Sequence, residues 1–208
     1  MTVAIAQKAL GGIWVAADTR ISPAKDSGRP NPPPGLKIFF LSTSHCITYS
    51  GAVPLGHQVF FEARRSLAQH SATIQLLADI QSSRDHMFAD PQIPDENVPD
   101  FILAEAGNPG RIFRISDKKE CEECTSMTHV GDSSAFLRFK GLVASSEMGE
   151  AALLPSMIRL LLDHNSDTVA GYPVCAHATR GGFKFIAPWI AQPPGNGKWT
   201  TANFGSAA

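Results

Sequence analysis

Residues 2–20 have the sequence TVAIAQKALGGIWVAADTR, in which two strand-like segments flank a pair of glycines. The segments run over 3–9 and 13–17 and are rich in valine, isoleucine and alanine. Gly11-Gly12 between them is typical of a tight hairpin turn. The stretch therefore predicts a β-hairpin that leads directly into Asp18.

A single methionine precedes Thr2. If Met1 is removed, the α-amine of Thr2 can accept the proton of the threonine's own hydroxyl, directly or through a water. Such an amine has a pKa of about 7.7–8.0, so a sizeable fraction is neutral and basic near neutral pH. The small side chain of Thr2 favours methionine removal, and Thr2 is therefore a candidate nucleophile. Many proteins begin Met-Thr, so the chemistry depends on the rest of the chain.

The remaining chain alternates strands with pairs of helices. Two sheets and two helix pairs can cover one another as an α+β, four-layer αββα sandwich, with two stacked, mainly antiparallel sheets between the helix layers. We expect a single domain over 1–190 and an irregular Pro- and Gly-rich tail over 191–208. Strands are expected at 37–41, 46–49, 101–106, 111–115, 125–130, 173–178 and 182–187. Helices are expected at 55–83 (broken near His70-Ser71), 134–142 and 147–162 (which contains Pro155). The connecting segments are a surface loop at 21–35, a loop at 90–100 and a charged turn at 117–123.

Length and charge limit the classes of partner. The 208 residues carry 18 basic and 19 acidic side chains, so there is no broad field to attract nucleic acid or an anionic membrane. No apolar run approaches the length of a membrane span, and the first residues lack the features of a signal peptide. We therefore expect a cytoplasmic protein without a nucleic-acid or membrane partner.

Four cysteines raise the question of a metal. Cys121 and Cys124 form a CxxC motif, which is half of a zinc site. Cys46 and Cys175 lie in apolar segments expected to be buried strands, where cysteine behaves as a small hydrophobic residue. The histidines show no HExxH spacing. We expect no metal and no cofactor.

The pattern Thr2, Gly12, Ala16-Ala17-Asp18-Thr19-Arg20, Lys37-Ile38 and Gly51 resembles the proteasome β-subunit family of N-terminal-nucleophile (Ntn) hydrolases, which includes bacterial ATPase-linked ring proteases and their orphan relatives. Thr2 to Asp18 and Lys37 to Gly51 look like the family's spacings without a gap, and the length differs only in the Pro-rich loop. The resemblance continues through Val130-Gly131 and 167–171 and spans about 2–186.

The resemblance implies a catalytic role for each matched residue. The Lys37 ammonium would lie beside the Thr2 hydroxyl and lower its pKa, while Asp18 would hold the lysine. Physical reasoning agrees, since a lysine that begins an apolar strand needs a partner, although an exposed salt bridge without catalytic meaning is the alternative. Gly51 would donate its N–H to the oxyanion, or it is an ordinary turn glycine. Arg20 would belong to a structural charge network.

Two positions depart from the family pattern. Asp132 replaces a serine that helps to position the N-terminal amine, and Ala170 replaces a second serine, whereas Asp167 is kept. A carboxylate at Asp132 could hold the protonated amine, but it would raise the amine's pKa and weaken it as a base. We expect slower activity, or activity shifted to higher pH, and a place in an orphan bacterial branch.

The same resemblance suggests a substrate pocket. It would be lined by Tyr49, with Gly35, Phe39 and Val53 nearby and Ile21 from the start of the loop. A tyrosine there would make the pocket shallow and favour small or medium apolar side chains before the cleaved bond. Core packing is the alternative for Tyr49.

The leading hypothesis is a threonine peptidase that cleaves peptides or unfolded proteins through an acyl-enzyme on Thr2. The resemblance implies a homo-oligomeric ring or related closed assembly, with a possible separate ATPase unfoldase. One alternative is a catalytically silent ring or scaffold subunit, favoured by Asp132 and Ala170. Another is a small-molecule Ntn amidase, against which the proteasome-like Lys37-Ile38 argues.

Overall fold

Two five-stranded antiparallel sheets form the centre of the fold in this computed structural model. The first sheet contains β1 (Val3–Ala9), β2 (Gly12–Ala17), β8 (Met127–Gly131), β9 (Val174–Thr179) and β10 (Gly182–Phe185). The second contains β3 (Ile38–Phe40), β4 (His45–Ser50), β5 (Asp100–Glu105), β6 (Arg111–Ile115) and β7 (Glu122–Cys124). The strand order is β10-β9-β2-β1-β8 in the first sheet and β3-β4-β5-β6-β7 in the second. The structure describes residues 2–9, 11–21, 35–70, 72–116, 121–145, 153–163, 169, 171–186, 189–190 and 201–202.

In the described part of the chain, four α-helices cover the outer faces of the sheets. Helices α1 (Val53–His70) and α2 (Thr73–Ala89) pack on the second sheet, and α3 (Ser133–Ala144) and α4 (Leu153–Asp163) on the first. One apolar cluster fills the space between the sheets, and one lies under each helix pair. The predicted αββα sandwich is therefore confirmed. None of the helices described is long and apolar enough to cross a membrane.

The register of the N-terminal hairpin brings the candidate nucleophile to Asp18. Strand β1 lies between β2 and β8, with Ala4 opposite Ala17 and Val3 opposite Gly131. The Asp18 N–H donates to the Val3 carbonyl at 3.2 Å. Thr2 and Asp18 consequently lie at the same end of adjacent strands.

Helix α2 is longer than predicted. It ends at Ala89, six residues beyond the expected end at 83, because the apolar face continues through buried Met87. The intervening run QSSRDH obscured this face, since the buried position within it is Arg84. The break between α1 and α2 falls near His70-Ser71 as predicted.

The expected charged turn at 117–123 is wrong for its last residues. Glu122 and Glu123 lie in β7, at the edge of the second sheet. Charged side chains suit an exposed edge strand, and Glu123 accepts a hydrogen bond from Arg111 on β6 at 2.9 Å. Residues 117–120 lie outside the described part of the chain.

The remaining differences are at the ends of elements. Pro155 lies in the first turn of α4, where a missing N–H is tolerated, while 147–152 of the predicted helix lie outside the described residues. A 3₁₀ turn, Asp95–Asn97, interrupts the expected loop at 90–100. In the expected irregular tail, β12 (Thr201–Ala202) pairs with β11 (Trp189–Ile190).

Candidate active site

Three side chains meet in the interior at the end of β1. The Thr2 hydroxyl donates to Asp18 Oδ1 and accepts from Lys37 Nζ. Lys37 Nζ also lies 3.0 Å from Asp18 Oδ1. All three residues are at most 3% exposed, so a strand-end salt bridge in solvent does not describe the arrangement.

The backbone around Asp18 fixes its carboxylate. The Val3 N–H donates to Oδ1 at 3.1 Å and the Arg20 N–H to Oδ2 at 3.2 Å. Lys37 Nζ also donates to the Arg20 carbonyl. Arg20 thus contributes its backbone N–H and carbonyl to the site, and its structural charge-network role stays a prediction. The lysine is held on one side by a carboxylate and on another by a peptide oxygen.

Burial shifts the pKa values of both Lys37 and Asp18. Desolvation lowers the pKa of Lys37, and the nearby Asp18 carboxylate opposes that shift. Desolvation also raises the pKa of Asp18, opposed first by the charge of Lys37. A lysine with a lowered pKa beside a hydroxyl is an arrangement that can activate the hydroxyl.

The pH profile of activity tests this electrostatic arrangement. If the Lys37 ammonium activates Thr2, activity is lost as pH rises through its pKa, and desolvation places that loss below the ordinary lysine value of 10.5. We expect kcat/KM for a peptide substrate to fall on the alkaline side before that value. A profile that stays flat up to pH 10.5, with the fold intact by circular dichroism, would contradict the assignment.

At the end of β8, Gly131 and Asp132 leave a gap in which the Thr2 carbonyl lies, which we call the Thr2 notch. Gly131 has φ of +93°, and a Cβ there would lie 1.9 Å from the Thr2 carbonyl oxygen. The next residue, Asp132, donates its N–H to the same oxygen at 2.7 Å. Only glycine fits this position, because both the conformation and the space exclude a side chain.

The Asp132 side chain caps α3, a role that the sequence analysis did not assign. Its Oδ1 accepts from the Ser134 N–H at 2.9 Å, from the Ser134 hydroxyl at 2.6 Å and from the Ala135 N–H at 3.0 Å. An aspartate directly before a helical pattern is a recognised N-cap signal and could have indicated this. Its predicted effect on the amine stays a prediction.

Substitution of Asp132 separates capping from charge. We expect Asp132→Ala to lower the free energy of unfolding by about 1 kcal/mol, because the first-turn N–H groups lose their acceptor. Asp132→Asn keeps a side-chain oxygen and should unfold close to the wild type in urea. Equal losses in the two variants would show that the carboxylate does more than cap the helix.

Gly51, the candidate oxyanion donor, lies in the turn between β4 and α1. It has φ of +108°, and a Cβ there would lie 2.7 Å from Pro99 Cα. The preceding Ser50 comes close to the Thr2 notch, since its Cβ lies 3.1 Å from the position of a Cβ on Gly131. The turn therefore adjoins the residues around Thr2.

Four of the five predicted pocket residues form two contacting pairs. A Cβ on Gly35 would lie 2.3 Å from Ile21 Cδ1, so these two positions are in contact. The rings of Phe39 and Tyr49 stack with centroids 6.2 Å apart. Tyr49 is buried among the residues under α1 and α2, and burial raises the pKa of its hydroxyl. Val53 is the first residue of α1.

Asp167, Ala170 and Met1 lie outside the described residues. Nearby, the Tyr172 N–H donates to Thr19 Oγ1 at 2.8 Å, a contact between distant segments that no local pattern indicated.

The four cysteines are free and lie in different parts of the fold, apart from the pair Cys121 and Cys124. Cys46 and Cys175 are buried in strands, as predicted, and burial raises the pKa of both thiols. Burial also raises the pKa of Cys121 to about 11. Among the described residues, no group of three or more His, Cys, Asp or Glu side chains could hold a metal ion.

Comparison with known proteins places the fold. No protein-family model and no curated protein sequence matches the chain. A solved structure of an Anbu (Gly-1) mutant from Hyphomicrobium sp. strain MC1 matches it with a TM-score of 0.66 and 18% identity, over 90% of this chain and 85% of that one. At this identity the likeness shows the fold alone, and it supports the four-layer αββα sandwich described above.

Proposed function

We propose that the protein is a threonine-type Ntn peptidase whose nucleophile is Thr2 after removal of Met1. The observation that carries the proposal is the buried Thr2 hydroxyl, hydrogen-bonded to both Lys37 and Asp18. Two charged groups that are rarely buried without partners, Lys37 and Asp18, converge on one hydroxyl, and such clusters are typical of functional sites. The Anbu-like fold supports a hydrolase of this class.

The proposed reaction proceeds in two stages. Thr2 Oγ1 attacks the peptide carbonyl, and its proton passes to the Thr2 α-amine, directly or through a water. The Gly51 N–H donates to the resulting oxyanion, and collapse breaks the C–N bond as the amine leaving group takes the proton from the α-ammonium. An ester remains on Thr2, and water, deprotonated by the amine, hydrolyses it and restores the hydroxyl.

Substrate and assembly follow from the same proposal. The substrate is a peptide or unfolded protein with a small or medium apolar side chain before the cleaved bond. The fold supports a homo-oligomeric ring or related closed assembly that encloses the sites. A cytoplasmic location and a separate ATPase unfoldase that feeds the assembly belong to the proposal through the sequence resemblance alone. Asp167 belongs to the proposed site by its family match.

Mass spectrometry of the natively expressed protein tests the first requirement. We expect the intact mass to lack Met1 and a peptide β-lactone to add its whole mass to the N-terminal peptide, because ring opening acylates Thr2 Oγ1. Met1 retained in all molecules would exclude the α-amine base and overturn the proposal. Light scattering gives a second result, since a stable monomer would favour a small-molecule amidase.

A further inference from the structure

A short segment packs directly against the back of Gly51. This segment, 97–100, connects the 3₁₀ turn to β5. The Ala52 N–H donates to the Asn97 carbonyl at 3.0 Å. A Cβ on Gly51 would lie 3.1 Å from Pro99 N and 3.2 Å from the Val98 carbonyl oxygen, so the two backbones are in van der Waals contact.

Helix α2 holds the other end of the segment through a buried cation. Arg84 Nη2 donates to Asp100 Oδ1 at 2.8 Å, and the arginine side chain is only 4% exposed. At the end of the β4–β5 ladder, Asp100 lies opposite Ser50, which is the residue immediately before Gly51. A buried guanidinium needs a charged or polar partner, and the partner of Arg84, Asp100, lies at the end of the β4–β5 ladder.

The segment therefore lies between Arg84 and the proposed oxyanion donor. A change in the position of Asp100 would be passed to Pro99, which contacts Gly51, and to Ser50 through the ladder. Oxyanion donors act only when they point at the developing charge, and a displacement of about 1 Å can cost about 10²-fold in rate.

We propose that Arg84 is a positioning residue for the reaction: through Asp100 and the 97–100 segment it holds the Gly51 N–H in place. The inference rests on the proposed peptidase function. Arg84 acts at the donor through the backbone, by way of its contact with Asp100 and the 97–100 segment. Because the oxyanion forms only in the transition state, loss of Arg84 lowers kcat and leaves KM nearly unchanged.

Kinetics of three variants test the proposal. We expect Arg84→Met to lower kcat about 10- to 100-fold per active site titrated with the β-lactone, with KM within about twofold. Arg84→Lys should recover much of the rate, since it keeps a cation. Arg111→Met is the matched control, because Arg111 also forms carboxylate pairs on the second sheet but is 46% exposed. It should retain wild-type kcat.

Two further measurements keep the test decisive. If Arg84→Met does not fold, Asp100→Asn weakens the same contact more mildly and should show the same loss of kcat. Amide hydrogen exchange at Ala52 should be faster in Arg84→Met, or in Asp100→Asn, than in Arg111→Met.

The outcomes separate the two proposals. Wild-type kcat in Arg84→Met, or an equal loss in Arg111→Met, would overturn the role of Arg84 while the peptidase proposal stands. An inactive wild type would overturn the peptidase proposal. If the wild type is inactive, amide exchange at Ala52 that is no faster in Arg84→Met than in Arg111→Met would also overturn the positioning role of Arg84.

Discussion

Replacing Thr2 with alanine is expected to abolish peptide hydrolysis, lowering kcat/KM by on the order of 10⁴-fold or more. The variant keeps the α-amine but removes the only atom that can form the acyl ester. Fluorogenic peptides measure the rate, and labelling by the β-lactone should disappear in parallel. The fold should persist, because the missing hydroxyl belongs to one small side chain.

Thr2→Ser is the matched control for this prediction. It retains a hydroxyl, an α-amine and a small second residue that permits methionine removal, and should keep measurable activity. A Thr2→Ala variant as active as the wild type would place the chemistry elsewhere. A wild type without activity but with normal assembly would favour the silent scaffold subunit.

Replacing Gly131 with alanine is expected to damage both stability and activity. A Cβ at this position overlaps the Thr2 carbonyl oxygen at 1.9 Å, and the residue has a positive φ. The strand would have to shift, so we expect a loss of about 2–4 kcal/mol in the free energy of unfolding. Thr2 would move with it, and kcat should fall at least about 10²-fold in the protein that still folds.

The same substitution in α3 provides its control. A Cβ on Gly141 would meet no atom within 4 Å, and the residue lies inside a helix. Gly141→Ala should therefore raise stability by about 0.5–1 kcal/mol and leave kcat unchanged. Urea unfolding and peptide kinetics on the pair measure both effects. Equal stability of the two alanine variants would show that the notch at Thr2 tolerates a side chain.

Local patterns were sufficient to predict most of the architecture. The hairpin over 3–17 depends on strand composition and two glycines, both visible along the chain. Helix α1 and the break after it follow from periodic apolar residues and the change at His70-Ser71. These elements could be predicted because each is determined by residues close in sequence.

Only part of the candidate site could be predicted from local sequence patterns. Asp18 and Thr2 become neighbours through a hairpin register, but Lys37 reaches them from the other sheet. The family resemblance indicated Lys37, and the need of a lysine in an apolar strand for a charged partner agreed with it. Arg84 was missed because a buried arginine interrupts the apolar pattern that marks a helix face. The notch at Gly131 was missed because it depends on how two strands distant in sequence pair.

The position of Thr2 next to a central strand has a consequence for how the proposed activity would be lost on heating. Val3 is fully buried, its N–H bonds to Asp18, and β1 is flanked by strands on both sides. Amides in such strands exchange with solvent only when the whole domain opens. The proposed nucleophile is thus anchored at the end of a buried strand that is paired on both sides, so loss of activity on heating should coincide with global unfolding.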